Sequence, residues 1–207
     1  MVLAGLFACL LLLALVVSDW FHFTNLTEQS SRYGCGVART EHRLQGSPAA
    51  LDLRRFDRNG MLRLPHGVAR LFQAQRRIVL RPQYQFFSPR FRTAWPMKVT
   101  IDLEEDGTTT RLKCMKRVPW SSAVFTLTWF ALVAVGTLGF IIAFAADGGF
   151  TSFSGALMGL GIMGIGLLVL AFGVVVVALA YRLEDSRLTE AYRELMSALA
   201  EVSRPIP

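Results

Sequence analysis

Two uncharged apolar stretches, Ala123 to Ala146 and Phe153 to Tyr181, stand six residues apart and decide what this chain can fold into. They hold 24 and 29 residues. A helix needs about 20 apolar residues to cross the hydrocarbon of a bilayer. In lipid every backbone N–H and C=O must be satisfied within the segment, so each stretch is expected to be a transmembrane helix. No proline falls between Trp120 and Arg204 to break either one. The short link makes them antiparallel neighbours, and the longer helix is expected to tilt or to extend past the bilayer.

A third block, Met1 to Val17, is also uncharged and runs into Asp19 and the aromatic group Trp20, Phe21, His22, Phe23. A secretory signal would carry a basic leading region, which is missing here, so a retained transmembrane helix over residues 1–19 is expected. The aromatics after it suit the headgroup level. Composition agrees: 53% of the 207 residues are hydrophobic and 18% charged, against about 25% charged in an ordinary soluble domain. Three cysteines exclude a disulfide-stapled secreted scaffold.

Of the 22 Lys and Arg residues, 18 lie between Ser18 and Trp120, four follow Tyr181, and none lies in the link Asp147 to Ser152. Basic residues near helix ends favour the cytoplasm. Arg111, Lys113, Lys116 and Arg117 precede the second helix, and Arg182, Arg187 and Arg193 follow the third. The expected topology has the N-terminus outside, with the middle domain (20–118) and the tail (182–207) in the cytoplasm. The expected location is a bacterial inner membrane.

The middle domain reads as β-rich. Met97, Val99, Ile101 and Leu103 alternate with Lys98, Thr100 and Asp102, the period of a half-buried strand. Asp106-Gly107 supplies a hairpin turn, after which Leu112 and Cys114 alternate with Arg111 and Lys113. A second hairpin is expected from Leu51 to Leu64 around Asn59-Gly60. Val68, Leu71, Phe72 and Gln75 share a helical face and predict a short helix over 68–77. Ile78 to Leu80 and Tyr84 to Phe87 read as strand. The fold class is therefore an α+β membrane protein, with three transmembrane helices (1–19, 121–146, 152–181) and a small antiparallel β domain inserted between helices 1 and 2.

Catalytic chemistry leaves no trace in the sequence. His22, His42 and His66 are scattered, and Cys35 and Cys114 form no C-x-x-C pair. There is no G-x-S-x-G elbow and no phosphate loop. Arg39 and Arg43 have the R-x-x-x-R spacing of cyclic-dinucleotide receptors, but the second half of that signature does not follow. The acidic run Asp102, Glu104, Glu105, Asp106 reads as solvated charge at a hairpin tip. The membrane stretches carry no ionisable pair of the sort that ion-coupled transporters place within a bundle. No catalytic residue, metal ligand or cofactor is expected.

Two features point instead to interaction. Gly155, Gly159, Gly166, Gly173 and Ala180 form a small-residue seam on the third helix, where backbones can approach closely. The seam serves either the hairpin itself or another membrane protein. The segment containing Tyr84, Phe87, Arg90, Phe91, Arg92 and Trp95 interleaves aromatics with arginines, suiting a membrane or partner surface if it does not simply fill the β core. With 18 basic and nine acidic residues between Ser18 and Trp120, the domain suits anionic lipids or an acidic partner rather than nucleic acid. After Tyr181, Leu188, Ala191, Tyr192, Leu195, Leu199 and Val202 share one helical face that needs a cover.

The functional expectation is a non-catalytic accessory subunit of a larger inner-membrane complex, respiratory or photosynthetic among the candidates. Its partners would be other integral membrane subunits, as a hetero-oligomer. The alternative is a membrane-anchored sensor whose β domain recognises lipid headgroups or a small ligand.

Overall fold

The computed structural model describes residues 2–45, 53–83, 95–106 and 109–200. In chain order, helix α1 (Val2–Thr24) precedes six strands, β1 (Cys35–Gln45), β2 (Met61–Arg63), β3 (Gly67–Phe72), β4 (Arg77–Pro82), β5 (Lys98–Asp106) and β6 (Thr109–Val118). Helices α2 (Trp120–Ala146) and α3 (Phe153–Ala200) follow. All three helices are long and apolar enough to cross a membrane. Two units separate, one made of Met1–Ser121 with Leu183–Pro207 and the other of Ser122–Arg182.

The strands form one antiparallel sheet in the order β1-β6-β5-β4-β3-β2. The expected β5–β6 hairpin is present, with Asp106 opposite Thr109 and Ile101 opposite Cys114. Its Gly107 lies outside the described residues. The expected helix over 68–77 is not formed. Residues 67–72 alternate between buried and partly exposed, pair with β2 on one side and β4 on the other, and end in a short 3-10 turn at Gln73–Gln75. Arg76 then takes a left-handed conformation at φ 48°, which reverses the chain into β4. A period of 3.6 and one of 2 coincide over so few residues, and ladder bonds on both edges decide for the strand.

Around Asn59-Gly60 only the second arm is a strand, because Leu53–Arg55 is a 3-10 turn. Ile78 to Leu80 lies in β4, while Tyr84 to Phe87 lies outside the described residues. Strand β1, which no periodicity announces, is an edge of the sheet.

The apolar face of the sheet carries Ala69, Leu71, Ile78, Leu80, Val99, Ile101, Leu103, Leu112 and Cys114, all buried. Its cover is the last part of α3, whose Leu188, Ala191, Leu195 and Leu199 are buried in turn. Each leucine removed from water stabilises the packing by about 1.5–3 kcal/mol. The helix comes so close to β3 that a Cβ on Gly67 would lie 2.7 Å from that of Ala191. Two polar anchors fix it: Glu194 accepts from the His66 backbone N–H at 3.0 Å and contacts the His66 ring, and Lys116 pairs with Asp185. The β domain is thus what covers the tail's apolar stripe. The tail is no separate helix, since nothing between Tyr181 and Ala200 interrupts α3.

Candidate functional site

The other face of the sheet is mainly polar, with Lys98, Thr100 and Arg77 buried and Arg70, Lys113 and Arg117 partly exposed. Lys98, only 1% exposed, donates from Nζ to the carbonyls of Phe23 at 3.2 Å and Ser30 at 2.5 Å. The ammonium also sits 4.3 Å over the Phe23 ring. Burial pulls its pKa down to about 8, Arg117 adds to the shift, and Asp19 opposes it. Arg77 donates to Asp102 at 2.6 Å, Ser31 Oγ at 3.0 Å and Gln75 at 2.7 Å. Thr100 donates to the Ser31 carbonyl at 2.7 Å and Arg117 to the Gly34 carbonyl at 2.9 Å, while Arg70 reaches the Leu26 carbonyl. These side chains strap the segment following α1 onto the sheet.

Glycine is required where that strap ends. Gly34 has φ +108°, and a Cβ there would lie 2.6 Å from the Val118 carbonyl oxygen. Asp19 completes the junction, accepting from the backbone N–H of Ser121 at 3.0 Å and from its hydroxyl at 2.5 Å. A carboxylate beside the first turn of α2 satisfies a free N–H and complements the helix dipole. Tyr33 donates to the same carboxylate, and that bond raises the phenol to about 12, with burial adding to it. Three of the domain's basic side chains, Arg70, Lys98 and Arg117, therefore answer backbone carbonyls within the fold.

Other sequence-level features are also occupied. Arg39 pairs with Glu41 at 2.9 Å on exposed β1. In the acidic run, Glu104 pairs with Lys113 at 2.6 Å and Glu105 with Arg76 at 3.0 Å, so it is cross-linked rather than merely solvated. Trp95 is half-buried just before β5. Tyr84, Phe87, Arg90, Phe91 and Arg92 lie outside the described residues. No metal-binding group of His, Cys, Asp and Glu occurs among the described residues.

A groove of about 320 Å³ lies between α3 and the β1 edge. The helix covers the middle of the sheet, so Thr40 and His42 on the same face of β1 stay exposed. They line the groove with Val99, Cys114, Lys116, Leu188, Thr189, Tyr192 and Arg193. The His42 and Tyr192 rings lie 5.8 Å apart, tilted by 33°. Burial pushes the Cys114 thiol up, with its contacts to Tyr192 and Lys116 opposing. Sequence reading missed this groove because its residues come from four elements and share no motif.

In the Ser122–Arg182 unit, Gly159, Gly166 and Gly173 are the buried glycines of α3. A Cβ on Gly166 would meet Thr137 Oγ1 at 2.5 Å, and one on Gly173 would meet Trp129 at 2.3 Å. At Gly159 the neighbours are Phe150 at 2.4 Å and Phe144 at 3.3 Å, and at Gly155 the Gly149 carbonyl oxygen at 1.9 Å. Ala180 is partly exposed. Side chains of α2 and of the link therefore fill this seam. Gly136 and Gly139 of α2, and Gly161 and Gly164 of α3, have nothing within 4 Å.

No protein-family model matches the chain, and neither a curated protein nor a solved structure is similar to it.

Proposed function

We propose that the protein is a non-catalytic accessory subunit of a larger assembly in a bacterial inner membrane, docking through its hairpin onto the helices of partner subunits. The supporting observation is the set of open glycines, Gly136, Gly139, Gly161 and Gly164. The hairpin makes its own close approach through Gly159, Gly166 and Gly173, which leaves this second small-residue surface uncommitted. Membrane helices associate through dispersion between closely approaching backbones, and small residues permit that approach. In this reading the β domain and the end of α3 face the cytoplasm, in line with the Lys and Arg placement.

The test is extraction in mild detergent followed by native mass spectrometry. Wild type should emerge as a stoichiometric hetero-complex. Gly161→Leu with Gly164→Leu should leave the protein's membrane level unchanged and release the partner. Gly166→Leu, aimed at Thr137, should instead lower the level of the protein itself, since overpacking costs about 1–3 kcal/mol. A monomeric wild type, or a complex indifferent to the Gly161 and Gly164 changes, overturns this reading.

A further inference from the structure

The groove beside β1 is independent of the hairpin surface, and its lining has a chemical direction. Three of its side chains are basic or imidazole, His42, Lys116 and Arg193, and none is a carboxylate. Lys116 is held by Asp185. Among the described residues neither His42 nor Arg193 has an ion-pair partner. Tyr192 accepts from Cys114 Sγ at 3.8 Å, and its own hydroxyl proton has no acceptor among the described residues. Val99, Leu188 and Cys114 add an apolar part to the lining.

The sheet register orders them. Thr40 stands opposite Cys114, His42 opposite Leu112, and Lys116 opposite Ala38. His42 and Lys116 are therefore four residues apart along the ladder, about 13 Å at strand rise. One end carries His42 and the Tyr192 ring beside it, the other carries Lys116 with its partner Asp185, and Arg193, next in sequence to Tyr192, also lines the groove. The volume falls at the small end of ligand pockets, about 300–1,000 Å³.

We propose that this groove binds a small amphiphile, an oxyanion joined to a short apolar body. The carboxylate or phosphate head sits on Arg193, His42 and the Tyr192 hydroxyl, and the apolar body lies over Val99, Cys114 and Leu188. Arg193 supplies a permanent charge and a planar fork that matches an oxyanion. Arg193 is exposed, so a neutral ligand gains nothing from its hydrated charge, and a bare anion would leave the apolar floor bare.

The experiment titrates the full-length chain, in neutral-lipid nanodiscs free of detergent, with octyl phosphate, octanoate, octanol and inorganic phosphate. Octyl phosphate and octanoate should bind, and the other two should bind at least tenfold more weakly. Arg193→Gln should weaken octyl phosphate about tenfold or more, the worth of one charge-assisted hydrogen bond, and leave octanol unchanged. Thr40→Trp, a filling change at an exposed strand position, should abolish binding without lowering the thermal midpoint. Octanol binding as tightly as octyl phosphate overturns the oxyanion assignment, and inorganic phosphate doing so overturns the apolar part. Binding that survives Thr40→Trp overturns the location, and binding of none of the four probes overturns the proposal. None of these outcomes bears on the partner complex, which is read from native mass spectrometry. Repeating the titration in discs with phosphatidic acid separates the sources. Weaker octyl phosphate binding there supports the site and identifies a membrane lipid as occupant, and unchanged binding supports it with a free solute.

Discussion

The two faces of the β sheet are covered by opposite chemistry. Against α3 lie Leu80, Val99, Ile101 and Leu112, buried together with Leu188, Leu195 and Leu199, with the His66–Glu194 and Lys116–Asp185 pairs beside that apolar contact. On the reverse, Lys98, Thr100, Arg77 and Arg117 hold the backbone that follows α1 through hydrogen bonds to its carbonyls or to Ser31 Oγ. The first face is non-directional, so any apolar side chain of suitable volume serves there. The second is specific, because each of these side chains donates to a named acceptor and losing one leaves a buried polar group unpaired. The difference separates what holds the domain together from what positions the junction between α1 and the start of α2.

The largest effect is expected on the apolar face. Leu195 is fully buried, and Leu195→Ala should lower unfolding stability by about 2–5 kcal/mol through lost burial and a residual cavity. Chemical denaturation followed by circular dichroism measures it. A loss below about 1 kcal/mol would mean that α3 does not form the cover of the sheet, and the comparison would break.

That face was legible in part, since Ala69 and Leu71 of β3 read as helix. The alternation of Met97, Val99, Ile101 and Leu103 marks β5, and the stripe from Leu188 to Leu199 marks a helix in need of a surface. Both follow from hydrophobic periodicity, which sequence displays directly. The polar face was not legible, because Lys98 and Thr100 read as the solvated side of a half-buried strand and Arg77 as the end of a helix over 68–77. The acceptors of Lys98 and Thr100 are the backbone carbonyls of Phe23, Ser30 and Ser31, and a carbonyl has no signature in sequence. Edge strand β1 was hidden for a related reason. With Arg39 and Glu41 on one face, Thr40 and His42 on the other, it buries too little for alternation to show. The groove inherits that difficulty. The glycine seam was visible as a spacing, yet only its neighbours in space show which glycines the hairpin uses.

The second prediction tests the polar face through pH. Folding depresses the Lys98 ammonium from 10.5 to about 8. Between those values the unfolded chain binds more protons than the folded one, so this group's contribution to stability rises with pH. The burial penalty is fully present below pH 8. Tyr33 acts in the opposite sense, its folded value being raised from 10.0 to about 12, so its contribution is lost only above pH 10. Cys114, raised above 9.0 by burial, also acts in the opposite sense inside pH 8 to 10, so Lys98 is isolated by comparison with a variant that keeps Cys114 and Tyr33. Across that window, the stability of wild type relative to Lys98→Met should rise by about 2 kcal/mol. A flat difference would mean that Lys98 is hydrated and that the reverse face is an ordinary solvated surface.

The smallest effect is the sharpest comparison, because it uses adjacent residues of one strand. Thr100 and Ile101 are 2% and 0% exposed and point to opposite faces of β5. Thr100→Val keeps the shape and deletes the hydroxyl that donates to the Ser31 carbonyl, at about 1 kcal/mol. Ile101→Val deletes one methylene on the apolar face, at about 0.5–1.5 kcal/mol. Global stability should hardly distinguish the two. Local opening should, because it is governed by what each segment packs against. Amide exchange at Ser31 and Tyr33, whose N–H groups bond to the Glu28 and Ser30 carbonyls, should speed up about fivefold in Thr100→Val, matching about 1 kcal/mol at RT of about 0.6 kcal/mol. In Ile101→Val those amides should hold, and the acceleration should fall on the α3 amides around Leu188 to Leu195. If each variant loosened both segments equally, the sheet would open as one cooperative body, and the separation of a packing face from a positioning face would fail.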